Sequence, residues 1–322
     1  MTQQTVVDYT ALLASGSKAK SKRPPILLLY GEKKIGKTTF GAAFPKPAFL
    51  CGEDGAHGIA DFRWPNEGWI TSWTSLLNYT RAFVHAKHDF KTIVADTLGP
   101  LSAVCLEHVV AESKKGSWEK MGWGKEEDLV GTWRVWMSLL ERCRNERGMN
   151  VVLLAHAVQA GVQDSQHGDK YYVWQGDMHR AIWNATSNWA DIVLYAAKER
   201  ALHDPGEGIH TRAVVKDNHW IYTAQTSADY GFEAGVRGGY RLTPKFLLSY
   251  DAYNTELNET AEAVRQRILA LAKAMPATDD PMVKNLLLWA TPANLATFGD
   301  DINKLRALEN QLKEAKEKKG SQ

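Results

Sequence analysis

The sequence predicts an α/β fold, a mainly parallel central sheet flanked by helices, with a small helical appendage at the C-terminal end. Three observations carry this expectation. Continuous apolar runs bounded by turn residues alternate with stretches of helical periodicity, as parallel strands joined by crossover helices require. A glycine-containing loop of fixed spacing follows the first apolar run and opens a helix. From about residue 256 the alternation gives way to helical periodicity alone.

The elements follow in order. Residues 1 to about 23 run into SGSKAKSKRPP (15–25) and read as a flexible basic arm. ILLLY (26–30) is a buried strand, and GKTTFGAAF starts a short helix that Pro45 stops. PAFLCGE is a second strand, and TSLLNYTRAFVHA places Leu76, Leu77, Thr80 and Val84 near one helical face. KTIVADT is a third strand, followed by a helix near LSAVCLEHVVAE. The glycines of GSWEKMGWGKEED interrupt the pattern before LVGTWRVWMSLLERCR, whose Leu129, Trp133, Trp136 and Leu140 define a core-facing stripe. NVVLLAHA is a fourth strand, and the polar, aromatic stretch GVQDSQHGDKYYVWQGDMHR shows no period. ADIVLYAAKERALHDPGEGIHTRAVVKD reads as strands around a DPGEG turn. TELNETAEAVRQRILALAKAM predicts one helix, Pro276 and Pro281 a linker, and the remainder two further helical segments. The domains expected are therefore an arm (1–23), a core (24–255) and a helical C-terminal region with a charged tail (256–322). In that tail Leu305, Leu308 and Leu312 share a face, suited to a solvated amphipathic helix or to a partner or DNA contact.

Composition narrows the function. With 322 residues, 44% of them apolar, the chain can bury a large core. A net charge of +2 gives no global pull on nucleic acid, so any such surface is local. Cys51, Cys105 and Cys143 lie far apart without Cys/His pairing, which argues against zinc and disulfides and for a reducing cytosol. His179 near His167 lacks a third metal ligand in view. No apolar run reaches the roughly 20 residues of a membrane span, and the N-terminal residues lack signal-peptide character. A cytoplasmic protein without membrane contact is expected.

The chemistry is concentrated at residues 31–39: Gly31, Glu32, Lys33, Lys34, Ile35, Gly36, Lys37, Thr38 and Thr39. Gly31-x4-Gly36-Lys37-Thr38, with a strand before and a helix after, is a complete phosphate-binding P-loop pattern. Its glycines let successive N–H groups face one anion, and the helix N-terminus adds positive potential. Lys37 is expected on the β- and γ-phosphates of ATP and Thr38 on Mg²⁺. Asp96, ending a buried strand, is expected as the second group on Mg²⁺. Hydrolysis also needs a base to orient water. Glu53, ending the second strand, is the candidate, with Asp54 its competitor.

A glutamate after the second strand, then VADT, then a strand ending in LLAHA resembles the RecA-like ATPase core. The likeness, over about residues 24–250, is greatest to compact phage AAA-type ATPases that include single-strand annealing and recombination proteins. It implies that His156 senses the γ-phosphate. FEAGVRGGYRLTP resembles a family segment A-K-x-R-x-G-L-P whose basic residues reach the neighbouring subunit's ATP. Arg237 matches the arginine, while Gly235 stands in place of the lysine. The resemblance further implies two DNA-facing loops. The first carries Lys114, Lys115, Lys120 and Lys125 among Trp118 and Trp123, the second Lys170, Tyr171, Tyr172, Trp174 and Arg180. Cations on phosphate and indoles on bases grip single strands, although these aromatics equally suit packing onto the core.

The expected function is thus that of an ATP-hydrolysing RecA-like protein on single-stranded DNA, in phage-type recombination, annealing or repair. ATP would lie between subunits of a filament or ring, with a single-strand-binding protein as a further partner. A helicase or packaging-type motor, and a nucleotide-switched assembly protein with little turnover, are the alternatives.

Overall fold

The structure, a computed structural model, describes residues 23–163, 170–203, 212–223, 231–237, 240, 242–275, 279–299 and 301–320. All but the last residue of the arm, and the DPGEG turn, lie outside that set.

The first strand explains the architecture around it. β1 (Ile26–Gly31) is apolar at nearly every position and buried on both faces, which only a central parallel strand permits. It lies between β5 (Asn150–Gln163) and β7 (Ile192–His203), parallel to both. Beyond β5 come β4 (Thr92–Asp96), β2 (Pro47–Cys51) and the two-residue β3 (Arg63–Trp64), all parallel. On the other side β8 (Arg212–Tyr222) and β11 (Lys245–Leu247) extend the sheet antiparallel. The order is β11-β8-β7-β1-β5-β4-β2-β3. The mainly parallel sheet expected from the sequence is present.

Alternate residues of each strand serve opposite layers. Ile26, Leu28 and Tyr30 join a core beneath α2 (Trp73–His85), α3 (Leu98–Ser113), α4 (Lys125–Arg147) and α5 (Arg180–Trp189). Leu76, Trp133, Trp136 and Leu140 are fully buried there, as the helical spacing required. The two indoles donate to Thr186 and Thr80 hydroxyls at 2.9 Å, so their N–H groups are satisfied. Leu27 and Leu29 face the other way, toward α1 (Lys37–Ala42) and α6 (Tyr250–Asn258), packing with Phe40, Phe44 and Tyr253.

Several boundaries differ from expectation. The stretch read as aperiodic is partly a hairpin: β5 runs on past the sheet and pairs antiparallel with β6 (Lys170–Gly176), which in turn pairs with β9 (Gly231–Phe232). α5 follows, its first turn capped by the His179 ring accepting from the Ala181 N–H. α4 starts at Lys125, inside the stretch read as a break, with Glu126, Glu127 and Asp128 at its positive end. The helix expected from residue 255 is divided by Glu259 and Thr260, the latter capping α7 (Ala261–Lys273). Among the described residues that follow, three helices rather than two are present: α8 (Pro281–Trp289), α9 (Pro292–Thr297) and α10 (Ile302–Gly320). Leu305, Leu308 and Leu312 of α10 are buried in the C-terminal core with Val264 and Ile268. Its leucine face is therefore packed rather than solvated.

Candidate active site

In open parallel sheets, ligands bind beyond the carboxyl ends of the strands, and the candidate residues converge there. β1, β5, β4 and β2 are successive neighbours, and in that order they deliver the loop after Gly31, His156, Asp96 and Glu53. Gly31 is opposite His156 in register, and Cys51 opposite Asp96. A Cβ on Gly31 would stand 2.3 Å from the Ala196 carbonyl oxygen of β7, so glycine is what lets the strands meet there. Gly36 caps α1 at φ 108°, a left-handed conformation that glycine adopts without strain. Ile35, 1% exposed, pins the loop to the core, while Lys33, Lys34 and Thr39 face outward.

Lys37 is 4% exposed. Its Nζ donates to the carbonyls of Glu32 (2.7 Å) and Gly31 (3.1 Å) and contacts His156 Nδ1 at 3.2 Å. Burial lowers its pKa to about 8, against the opposing pull of Asp96 and Glu53. A buried ammonium whose described hydrogen-bond partners are backbone carbonyls and a ring nitrogen suits an anion. Thr38 Oγ1 donates to Asp96 Oδ2 at 2.8 Å, so the hydroxyl and carboxylate expected on magnesium are already adjacent. Asp96 is buried, and this desolvation pushes its pKa up. The residues present fit a nucleoside triphosphate with Mg²⁺.

The network also orders protons. An ammonium has no lone pair to offer, so His156 Nδ1 must accept from Lys37. His156 Nε2 then carries the hydrogen and donates to Glu53 Oε1 at 3.0 Å. Glu53 Oε1 accepts as well from Thr97 Oγ1 at 3.3 Å. The His156 bond is the largest cause holding the Glu53 carboxyl below its usual pKa, which keeps it ionised. Asp54, its competitor, is turned to Arg63, whose Nη2 it meets at 2.8 Å. Thr97 escaped the sequence reading. Its only signal there was a polar residue directly after a buried carboxylate.

Arg237 is not part of this cluster. Its backbone N–H donates to the Asp191 carbonyl, and Nε and Nη2 donate to the Ala190 carbonyl at 3.1 and 2.7 Å. Asp191 Oδ2 accepts from the Ile26 N–H, at the start of β1. Arg237 thus sits at the amino end of β1 and Lys37 beyond its carboxyl end, separated by roughly 16 Å of strand.

Of the DNA-facing candidates, Lys114, Lys115 and Lys120 are exposed, as is Arg180, and Trp123 is wholly so. Trp118 and Lys125 are engaged with each other: Nζ lies 4.8 Å from the ring centroid and donates to the Trp118 carbonyl. The Trp118 ring also meets His179 edge-on at 5.2 Å, which joins the two stretches at one corner. Lys170 and Tyr171 fall in β6, but their side chains lie outside the described set. Tyr172 is exposed, and Trp174 is half-buried against the first core.

A family model described as AAA domain, AAA_24, matches residues 23–237, two thirds of the chain. The chain belongs to this AAA domain family. The match covers every strand-end residue of the cluster, and the family is one of P-loop ATPases, which bind ATP typically with Mg²⁺. The chain is also similar to an SPbeta prophage-derived uncharacterized protein, YorG, of Bacillus subtilis (strain 168), 25% identical over 247 residues. That match covers 74% of this chain and 66% of the relative, just under two thirds of its length. No described helix is long and apolar enough to cross a membrane.

Proposed function

We propose that this AAA-domain protein hydrolyses ATP and uses the cycle on single-stranded DNA, in phage-type recombination, annealing or repair. One observation carries the hydrolytic part: the hydrogen-bonded chain Lys37–His156–Glu53 and the hydrogen-bonded pair Thr38–Asp96 lie side by side at adjacent strand ends. Lys37 would hold the β- and γ-phosphates, and Thr38 and Asp96 would hold Mg²⁺. The ion supplies charge neutralisation at the phosphate oxygens. Glu53, ionised and steadied on Oε1 by His156 and Thr97, presents its other oxygen to orient the attacking water. His156, bonded to both Lys37 and Glu53, is placed to register whether a terminal phosphate is present.

The DNA part draws support from the exposed Lys114, Lys115, Lys120, Trp123 and Arg180 near one corner, and from the prophage origin of the relative. Assembly into a filament or ring, with ATP at the junction, draws support from Arg237, too far from its own subunit's Lys37 to serve it. The test is ATP turnover by the intact chain, with and without single-stranded DNA, alongside Lys37→Ala. Turnover that DNA raises and Lys37→Ala abolishes is expected. Turnover indifferent to DNA, with no DNA binding in any nucleotide state, would refute the DNA part alone.

A further inference from the structure

Across the sheet from α1 lies a cleft of about 490 Å³ that the hydrolytic cluster does not use. It opens between the β5–β6 hairpin and the β7–β8 pair, with Glu32 of the P-loop at its edge. The floor is aromatic. Tyr195 stacks on Phe232, centroids 5.0 Å apart with planes at 22°, and on Trp174 at 6.2 Å and 25°. Tyr222 leans on both Tyr195 and Phe232. Tyr195 and Phe232 are buried, whereas Trp174 and Tyr222 are half-exposed and offer ring surface.

The rim is mixed. Lys198 and Lys245 are balanced by Glu32 and Glu199, and Gln159 adds an amide. Glu199 is engaged with the Trp220 indole N–H and the Asn218 amide, and the Lys245 ammonium lies 4.1 Å from the Trp220 ring centroid. Equal numbers of cations and carboxylates give little net attraction for a bare anion or a bare cation. An aromatic floor with donors and acceptors on the rim suits a planar, neutral heterocycle. The ring of an ATP seated on the P-loop is not the natural occupant. α1, whose N-terminus would meet the phosphates, packs through Phe40 on the face of Leu27 and Leu29, while the cleft belongs to the face of Tyr30 and Tyr195.

We propose that this cleft takes an unstacked base of single-stranded nucleic acid, lodged against Trp174 and Tyr222 with its polar edge toward Gln159, Lys198 and Lys245. The proposal rests on the DNA reading above and adds to it a site away from the exposed Lys114–Trp123 stretch. Base-on-aromatic stacking is tolerant of sequence, so one cleft serves any strand. Because the Glu32 carbonyl holds Lys37 and its residue edges the cleft, the base and the nucleotide are neighbours across one turn of chain.

Photocrosslinking of a 5-iodouracil-containing oligonucleotide to the full chain, mapped by mass spectrometry, tests the placement. Anisotropy with the same oligonucleotide measures affinity in Tyr222→Ala, Lys245→Ala and the pair Trp174→Ala and Trp174→Phe. Crosslinks at Trp174 or Tyr222 are expected, with binding weakened at least fivefold by Trp174→Ala and largely restored by Trp174→Phe. KM for ATP without DNA should stay within twofold in each variant that retains the wild-type melting temperature. Wild-type binding with crosslinks confined to residues 114–125 and unaltered variants would overturn the cleft and leave the DNA reading standing. A KM for ATP raised in step with lost oligonucleotide binding would instead give the cleft to the ATP base. No binding of any oligonucleotide by the wild type would refute both.

Discussion

Lys37 is held in a state that nucleotide should change. Its pKa of about 8 reflects burial among neutral acceptors, and a bound triphosphate favours the charged form and raises it. Below pH 8 the free protein already carries the proton. Above it, binding must take one up, so affinity falls as pH rises, approaching tenfold per unit until the bound-state pKa is reached. The dissociation constant of a slowly hydrolysed ATP analogue, measured from pH 7 to 9.5, checks this; a flat profile would contradict the buried, lowered lysine. Glu53→Gln should retain nucleotide binding and lose about 10²–10⁴-fold in turnover, since only the water-orienting carboxylate changes. If Asp54→Asn shows that phenotype instead, the base is the neighbouring residue. Thr97→Val removes one of two bonds to Glu53 Oε1. A loss of roughly tenfold in kcat with KM little changed is expected, the scale of one hydrogen bond to a charged group. Equal losses in binding would mean that Thr97 supports the pocket rather than the carboxylate. Lys37 and Thr38 could be singled out in the sequence because a P-loop is a local pattern, and Asp96 because it ends an unbroken apolar run. Thr97 was not, because its role depends on which oxygen of a residue 44 positions earlier it meets.

At the scale of elements, legibility followed burial. β1, β4 and the first half of β5 are enclosed on both faces, so each reads as an unbroken apolar run. The second half of β5 and β6 leave the sheet as a hairpin whose aromatic residues show no clean alternation. The pairing is set by a partner strand, which no window of sequence displays. α5 was missed for a related reason, since its cap is a histidine ring rather than a serine or aspartate. The acidic residues that follow the first DNA-facing stretch, Glu126, Glu127 and Asp128, have a helix-start role in α4. Lys114 and Lys115 stand exposed where α3 ends. If they meet phosphates, log affinity for single strands should fall with log salt by about 0.7 per contact. Replacing both with alanine should then flatten the slope by about one to one and a half units. Salt titrations of oligonucleotide binding read this directly, and an unchanged slope would move the phosphate contacts elsewhere.

For the whole molecule, what matters is that one subunit holds the two halves of the proposed site at opposite ends of its sheet. Lys37 lies beyond the carboxyl end of β1, and Arg237 is anchored to Ala190 and Asp191 at the amino end. No local motion of a side chain joins them, so under the proposed function an Arg237 that acts on the phosphates would come from another copy. Arg237→Ala should therefore leave nucleotide binding by isolated subunits nearly intact and lower hydrolysis steeply. A trans-acting arginine stabilises charge that develops only in the transition state, an effect of about 10³–10⁵ in P-loop enzymes. The guanidinium's two bonds to the Ala190 carbonyl complicate the single mutant, because their loss also frees that end of β7. Mixing separates the two causes. Neither Arg237→Ala nor Lys37→Ala alone should turn over ATP. In a mixed assembly, some junctions pair the intact P-loop of the first with the intact arginine of the second. Turnover should rise to a maximum at intermediate mixing ratios and vanish at both ends, a shape that independent subunits cannot produce. Flat background turnover across all ratios, with mixed assembly confirmed by differential labelling, would remove Arg237 from the chemistry. Its two bonds to Ala190 would then be its whole role, holding the entry to β7.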